Sequence, residues 1–252
     1  MLPQFIDTAS LIIMFFPLLA AYLASSSPAQ GTFLARQIVL EVALIGVFIG
    51  AVAMLLAGLS DLDALGQATA VLLLDVVYGF LLFGIISVIP ASDSQIHSAS
   101  VARRIIAVFL FLTVVMFAIV SVEDFFIYLY LDALIYVVIS MVVIGMVRRS
   151  TGASDMVPMI LSRLPHIGLF GLFLGLIPAL GNIADPQSIG PALAFGYLSF
   201  LYASIASVGY KLANPSITNG IKPIGWPFVG WTLVVLLTSA MLILASLQLS
   251  TT

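Results

Sequence analysis

Apolar residues run along this chain in long blocks, and polar residues collect in the short gaps between them. Eight blocks stand out, at 5–24, 38–58, 66–90, 104–122, 125–147, 166–182, 190–211 and 226–248. Most reach or approach the ~20 residues that an α-helix needs to cross ~30 Å of hydrocarbon, so each predicts a membrane-spanning helix. The gaps carry the turn formers. Within 165–202, two glycine-studded blocks are separated by a polar turn running from Asn182 to Gly190, with Asp185 and Pro186 at its centre. That arrangement predicts a transmembrane helical hairpin. Asp61 and Gly66 mark a similar turn between the second and third blocks.

Charge then orients the blocks. Arg36, Arg103, Arg104, Arg148, Arg149, Arg163, Lys211 and Lys222 are all eight basic residues of the chain, and each lies in or beside a connection from an odd block to an even one. The other connections hold Asp61, Asp63, Glu123, Asp124 and Asp185. The positive-inside rule therefore predicts both termini on the outer side.

Composition narrows the class. The chain is 62% hydrophobic and 8% charged, with a mean hydropathy of +1.25, against the ~45–50% apolar and ~25% charged of a soluble domain. This is the composition of a polytopic membrane protein. The absence of cysteine excludes disulfides, thiolate metal sites and cysteine nucleophiles. No positively charged leader segment or small-residue cleavage site opens the chain, and no polar stretch is long enough for a soluble domain.

The blocks also repeat. Phe5-Ile6-Asp7 matches Tyr130-Leu131-Asp132, Gly46 and Gly50 match Gly171 and Gly175, Asp61 and Gly66 match Asp185 and Gly190, and Tyr78 matches Tyr202, all at a spacing of 124–125 residues. The expected fold is an all-α polytopic membrane protein of about eight transmembrane helices in two parallel four-helix repeats, 1–122 and 123–252.

From Pro165 the second hairpin reads P-x-x-G-x-x-G-x-x-x-G, followed by D-P-x-x-I-G-P from Asp185. This resembles the third and fourth helices of the MotA/TolQ/ExbB proton-channel family, most closely its flagellar-stator branch. The stretch from Phe5 through Asp7 to Ile12 resembles the opening of that family's second helix. The resemblance implies an internally duplicated form, set in a bacterial inner membrane with both termini periplasmic. It also implies a homo- or hetero-oligomer around a single-span partner of the MotB/TolR/ExbD kind. The family's large cytoplasmic domain has no counterpart, since only 24–37 and 148–164 stand in its place. A threonine of the family's third helix is replaced by Val47 and Leu172, and the proline that opens that helix is kept as Pro165 but is Leu40 in the first half.

Asp75 carries the sharpest chemistry. It sits nine residues past Gly66, roughly 13 Å into a ~30 Å core at ~1.5 Å per residue. An ionisable group there costs at least ~2.5–3.5 kcal/mol and belongs at a bundle interior or a wet path. It reads as a proton or sodium path residue, as a hydrogen-bond partner to Ser199 or a tyrosine hydroxyl, or as a tolerated remnant. Ser199, Tyr78 and Tyr202 fall in the stretches that resemble the family's fourth helix and join the candidate path. Glu41 reads as an interfacial helix-end carboxylate or a proton exit, and His166, its counterpart in the repeat, as a wetted interface residue or a group titrating near neutral pH. Gly46, Gly50, Gly171 and Gly175 read as helix-packing positions, and 125–130 as an outer aromatic belt.

Two functional classes follow. One is an ion-driven energy-transducing subunit surrounding a partner helix. The alternative is a small-solute transporter or a non-conducting scaffold built from the same hairpins. Catalysis is not expected, because the chain has no phosphate-binding GxxxxGK[ST], no lysine in its last block and no paired carboxylates or histidine cluster. No cofactor or nucleic acid is expected, and the lipid bilayer is the surrounding partner.

Overall fold

The computed structural model describes residues 7–56, 62–90, 97–122, 125–150, 156–182, 186–218 and 224–250. Within them the chain forms eight α-helices: α1 (Thr8–Ala24), α2 (Pro28–Leu56), α3 (Leu62–Val88), α4 (Val101–Val122), α5 (Leu131–Ser150), α6 (Met156–Gly181), α7 (Pro186–Ala213) and α8 (Trp226–Ser250). Five stretches are long and apolar enough to cross a membrane, namely Pro28–Leu55, Val101–Val122, Phe125–Ser150, Val157–Gly181 and Ser188–Ala213. Shorter apolar helices are Thr8–Ala24, Leu72–Val88 and Pro227–Met241.

Local chemistry explains the ends. Asp7 caps α1, its Oδ2 accepting from Ser10 N at 2.7 Å, the usual way of satisfying an orphan first-turn amide. Helix α2 begins at Pro28, directly after Ser27, whose Oγ accepts from Gln30 N at 3.5 Å. Proline suits that position because its missing N–H would have no helical partner. The apolar block alone predicts a start near 38. The polar segment 28–37 is instead the first turns of the same helix, leaving only 25–27 as a connection. Likewise α6 starts at Met156, so Pro165 lies inside it and does not open it. Gly66 and Gly190, expected in turns, are each the fifth residue of a helix, α3 and α7. Pro186 is the first residue of α7, and Asp61 and Asp185 lie outside the described residues.

Helix α2 is the axis of the packing. Of its most apolar stretch 94% is buried, and it contacts α1, α3, α4 and α7. A helix that is apolar all round belongs in such a position. The hairpins α2–α3 and α6–α7 are the tightest pairs, α4 lies against α1 and α7, and α8 touches α6 and α7. Phe48 of α2 stacks on Phe200 of α7 at 4.3 Å between ring centroids. Helix α5 leans on α6 and α7 from outside, with Leu134, Val138, Val142 and Met146 exposed one turn apart. The segment 125–130 is only partly an outer belt: Phe126 is exposed, but Tyr128 is buried and donates to Ile49 O at 3.0 Å.

The two hairpins make corresponding close contacts. A Cβ added to Gly46 would fall 2.7 Å from Asp75 Oδ2, and one added to Gly171 would fall 2.6 Å from Ser199 Cβ. Gly50 faces Leu72 as Gly175 faces Gly196. At a third level Gly79 lies against Ala43, whereas Gly168 lies against Ala203. Each residue of one hairpin is 124 or 125 positions from its counterpart in the other. Small side chains let helix backbones approach closely, which in lipid is a principal source of association.

Arginines close helix ends at one side of the bundle. Arg36 donates to the carbonyls of Ile86, Ser87 and Ile89 at the end of α3. Arg104 donates to Ala213 O at the end of α7, at 2.8 Å, and Arg103 to Tyr22 O in the last turn of α1, at 3.4 Å. Cations at helix C-termini answer both the unpaired carbonyls and the helix dipole.

Candidate functional site

Asp75 stands at the midpoint of α3, thirteen residues from each end, so roughly 20 Å of helix runs to either side at ~1.5 Å per residue. Its side chain is 3% exposed and turns toward α2, where the missing side chain of Gly46 makes room for it. Any residue but glycine at 46 would occupy the space of the carboxyl. Beside the pair is a cavity of about 90 Å³, lined also by Asp7, Ser10, Gly50 and Ala118. Ser10 is the polar neighbour that interacts with the Asp75 carboxyl, yet neither Asp75 Oδ1 nor Ser10 Oγ completes a hydrogen bond of ordinary geometry. A buried carboxyl oxygen with spare capacity, next to a small cavity, has the means to take a proton or an ion with its water. Asp7, at the N-terminus of α1, forms part of the same cavity wall.

Ser199 does not meet Asp75. It occupies the corresponding place in the other hairpin, at the middle of α7, facing Gly171 of α6 and the Tyr136 ring of α5. Its buried hydroxyl has no hydrogen-bond partner. Tyr202 is held structurally: its hydroxyl accepts from Tyr130 N at 2.9 Å and donates to Tyr128 O, tying α7 to the turn before α5. Tyr78 is half-buried on α3, three residues beyond Asp75, and does not line the Asp75 cavity.

Glu41 departs from expectation. It is not at a helix end; it lies thirteen residues into α2, 1% exposed, and pairs with Lys211 of α7, which is 3% exposed. Lys211 Nζ also donates to Gln37 O at 3.5 Å. Glu41 Oε2 and Gln37 Oε1 are left without partners. His166, eleventh residue of α6, comes to the same place: Glu41, Lys211, Arg163, His166 and Ser162 share a cavity of about 350 Å³. The His166 ring also meets the edge of Phe228 at 5.3 Å. Lysine and arginine on these walls outnumber the one carboxylate, so the field here favours an anion over a cation. The Glu41–Lys211 pair, 170 residues apart in the chain, leaves no local signal in the sequence beyond two charges inside apolar blocks.

Two characterised proteins share a short stretch with this chain. Motility protein A of Cereibacter sphaeroides is 46% identical over 41 residues, and chemotaxis protein PomA of Vibrio alginolyticus is 44% identical over 43 residues. The matches cover 16% and 17% of this chain and equal shares of the two relatives. No family model and no solved structure matches the chain. The protein is thus a helical membrane protein, similar over about a sixth of its length to a motility protein and a chemotaxis protein.

Proposed function

We propose that the chain is a subunit of an ion-driven, energy-transducing membrane complex, in which proton or sodium flow past Asp75 moves a single-span partner. The observation that carries this reading is the Asp75 carboxyl at the midpoint of α3, buried against Gly46 with one oxygen unsatisfied beside a cavity. A group so costly to bury is normally retained for transport or for a specific partner. The similarity to motility proteins agrees in kind. All eight helices span the membrane in this reading, with the arginine-capped ends facing the cytoplasm and both termini the periplasm. The matching contacts of the α2–α3 and α6–α7 hairpins support descent from one duplicated unit. Only the first copy has a carboxyl at this mid-helix position, where the second has Ser199, so the α2–α3 side carries the ions and the α6–α7 side serves assembly.

The test is ion flux in membrane vesicles prepared from cells that make the complete complex. Asp75→Asn keeps the volume and removes the charge; flux should fall to background while the amount of inserted protein and its oligomeric size stay unchanged. Undiminished flux in that variant overturns the reading. Native mass measurement on the mildly solubilised complex should also show a foreign single-span chain bound to several copies of this one.

A further inference from the structure

The α5–α6 face carries a groove of about 600 Å³ whose walls are apolar for most of their length, among them Ile139, Val143, Ile167 and Phe170. Its end toward the α5–α6 connection is different, because Arg148 and Arg163 stand there on facing helices. Arg163 and His166 belong at once to this groove and to the polar cavity of about 350 Å³ that also holds Ser162 and Lys211. A basic, hydrogen-bonding chamber therefore adjoins an apolar trench, with Arg163 and His166 at their common border.

The dimensions are those of one lipid leaflet. From Arg148 back to Tyr136 is twelve residues of α5, or roughly 18 Å of helix at ~1.5 Å per residue, against the ~15 Å that is half of a ~30 Å hydrocarbon core. The chamber lies at the end of the bundle where Arg104 meets the last carbonyl of α7, which is where a headgroup would be. Basic pockets between transmembrane helices select anionic headgroups over zwitterionic ones. Glu41 does not oppose this, since Lys211 already compensates it.

We propose that this composite site binds one anionic phospholipid per chain, its phosphate held by Arg163 and His166, the two residues common to chamber and groove, and one acyl chain laid along the α5–α6 groove. The occupant bridges α5 and α6 to the start of α8, because Ile224 and Phe228 form the far wall of the chamber. It is distinct from the Asp75 cavity, with which it shares no lining residue.

The test is native mass spectrometry of the full-length protein, delipidated in detergent and titrated with phosphatidylglycerol or phosphatidylcholine. The wild type should retain one phosphatidylglycerol at least tenfold more tightly than phosphatidylcholine. Arg163→Gln with His166→Gln should erase that preference, while Val143→Trp, which fills the groove and leaves the chamber intact, should weaken both lipids. Inorganic phosphate separates a lipid from a soluble anion. If phosphate alone displaces nothing at millimolar concentration, the acyl chain is part of recognition as proposed; if it competes fully and the Val143→Trp variant binds lipid normally, the site takes a free anion and the proposal fails. Equal retention of the two lipids by the wild type also overturns it. Thermal unfolding of each variant distinguishes loss of the site from loss of the fold.

Discussion

Replacing Lys211 with methionine removes one member of a charge pair whose side chains are 3% and 1% exposed, while keeping most of the aliphatic volume. Glu41 then loses the one cation it is paired with, and its Oε2 already lacks a partner. Removing one side of a buried pair costs about 3–5 kcal/mol, chiefly the penalty of the charge left behind. In a chain of this size each kcal/mol moves the melting temperature by roughly 2–4 °C, so a fall on the order of 6–20 °C is expected. The double variant, Glu41→Met with Lys211→Met, should return to within about 1–2 kcal/mol of the wild type, because apolar side chains can replace such a pair at little or no cost. The assay is thermal unfolding in detergent micelles at fixed protein-to-detergent ratio, followed by helical circular dichroism. A Lys211→Met protein that melts within about 2 °C of the wild type, or a double variant that melts as low as the single one, would refute the argument that this pair fastens α2 to α7.

Other expectations follow from the same packing. Gly171→Ala places a methyl 2.6 Å from Ser199 Cβ and 3.0 Å from the Tyr136 ring before relaxation, and should cost about 1–3 kcal/mol; Ser199→Gly should restore the part owed to Ser199 in a double-variant melt. Tyr128→Phe loses the 3.0 Å bond to Ile49 O and should cost about 1 kcal/mol. Arg36→Met leaves the α3 carbonyls of Ile86, Ser87 and Ile89 without their cation and should speed amide exchange near the α3 end, read by mass spectrometry. Asp7→Ala removes the α1 cap and should lower stability by about 1 kcal/mol.

What the sequence disclosed depended on whether the signal was local. Hydropathy located all eight helices, since the need to satisfy backbone groups in hydrocarbon leaves a helix as the form of each apolar block. It misplaced the starts of α2 and α6, because a helix continues into polar residues once it is capped. The cue at α2 was present in Ser27-Pro28. Hydropathy also could not rank the helices by position: the windows of α2 and α5 are nearly equally apolar, yet 94% of the first is buried and 17% of the second. Lipid and protein interior are both apolar, so the same composition serves either. That Asp75 lies well inside a helix was legible from its distance to Gly66, but its companion Gly46 and the cavity with Ser10 depend on how three helices cross. The pairing of Glu41 with Lys211, and their meeting with His166, belongs wholly to tertiary packing.

The alanine and glycine that meet between helices in each hairpin sit in opposite order, Ala43 with Gly79 in one and Gly168 with Ala203 in the other. At Gly79 the excluded bulk is that of Ala43, so there the combined size of the pair is what is fixed; at Gly168 the backbone of Phe200, 3.0 Å away, crowds the site together with Ala203. Among descendants of the first hairpin, then, mutations at Ala43 and Gly79 should be inherited as compensating pairs, so that a change harmful alone is neutral once its opposite number has changed. Two lineages can reach the same interhelical distance by different residues, and exchanging one helix between them would recreate a clash, alanine on alanine, that neither parent contains.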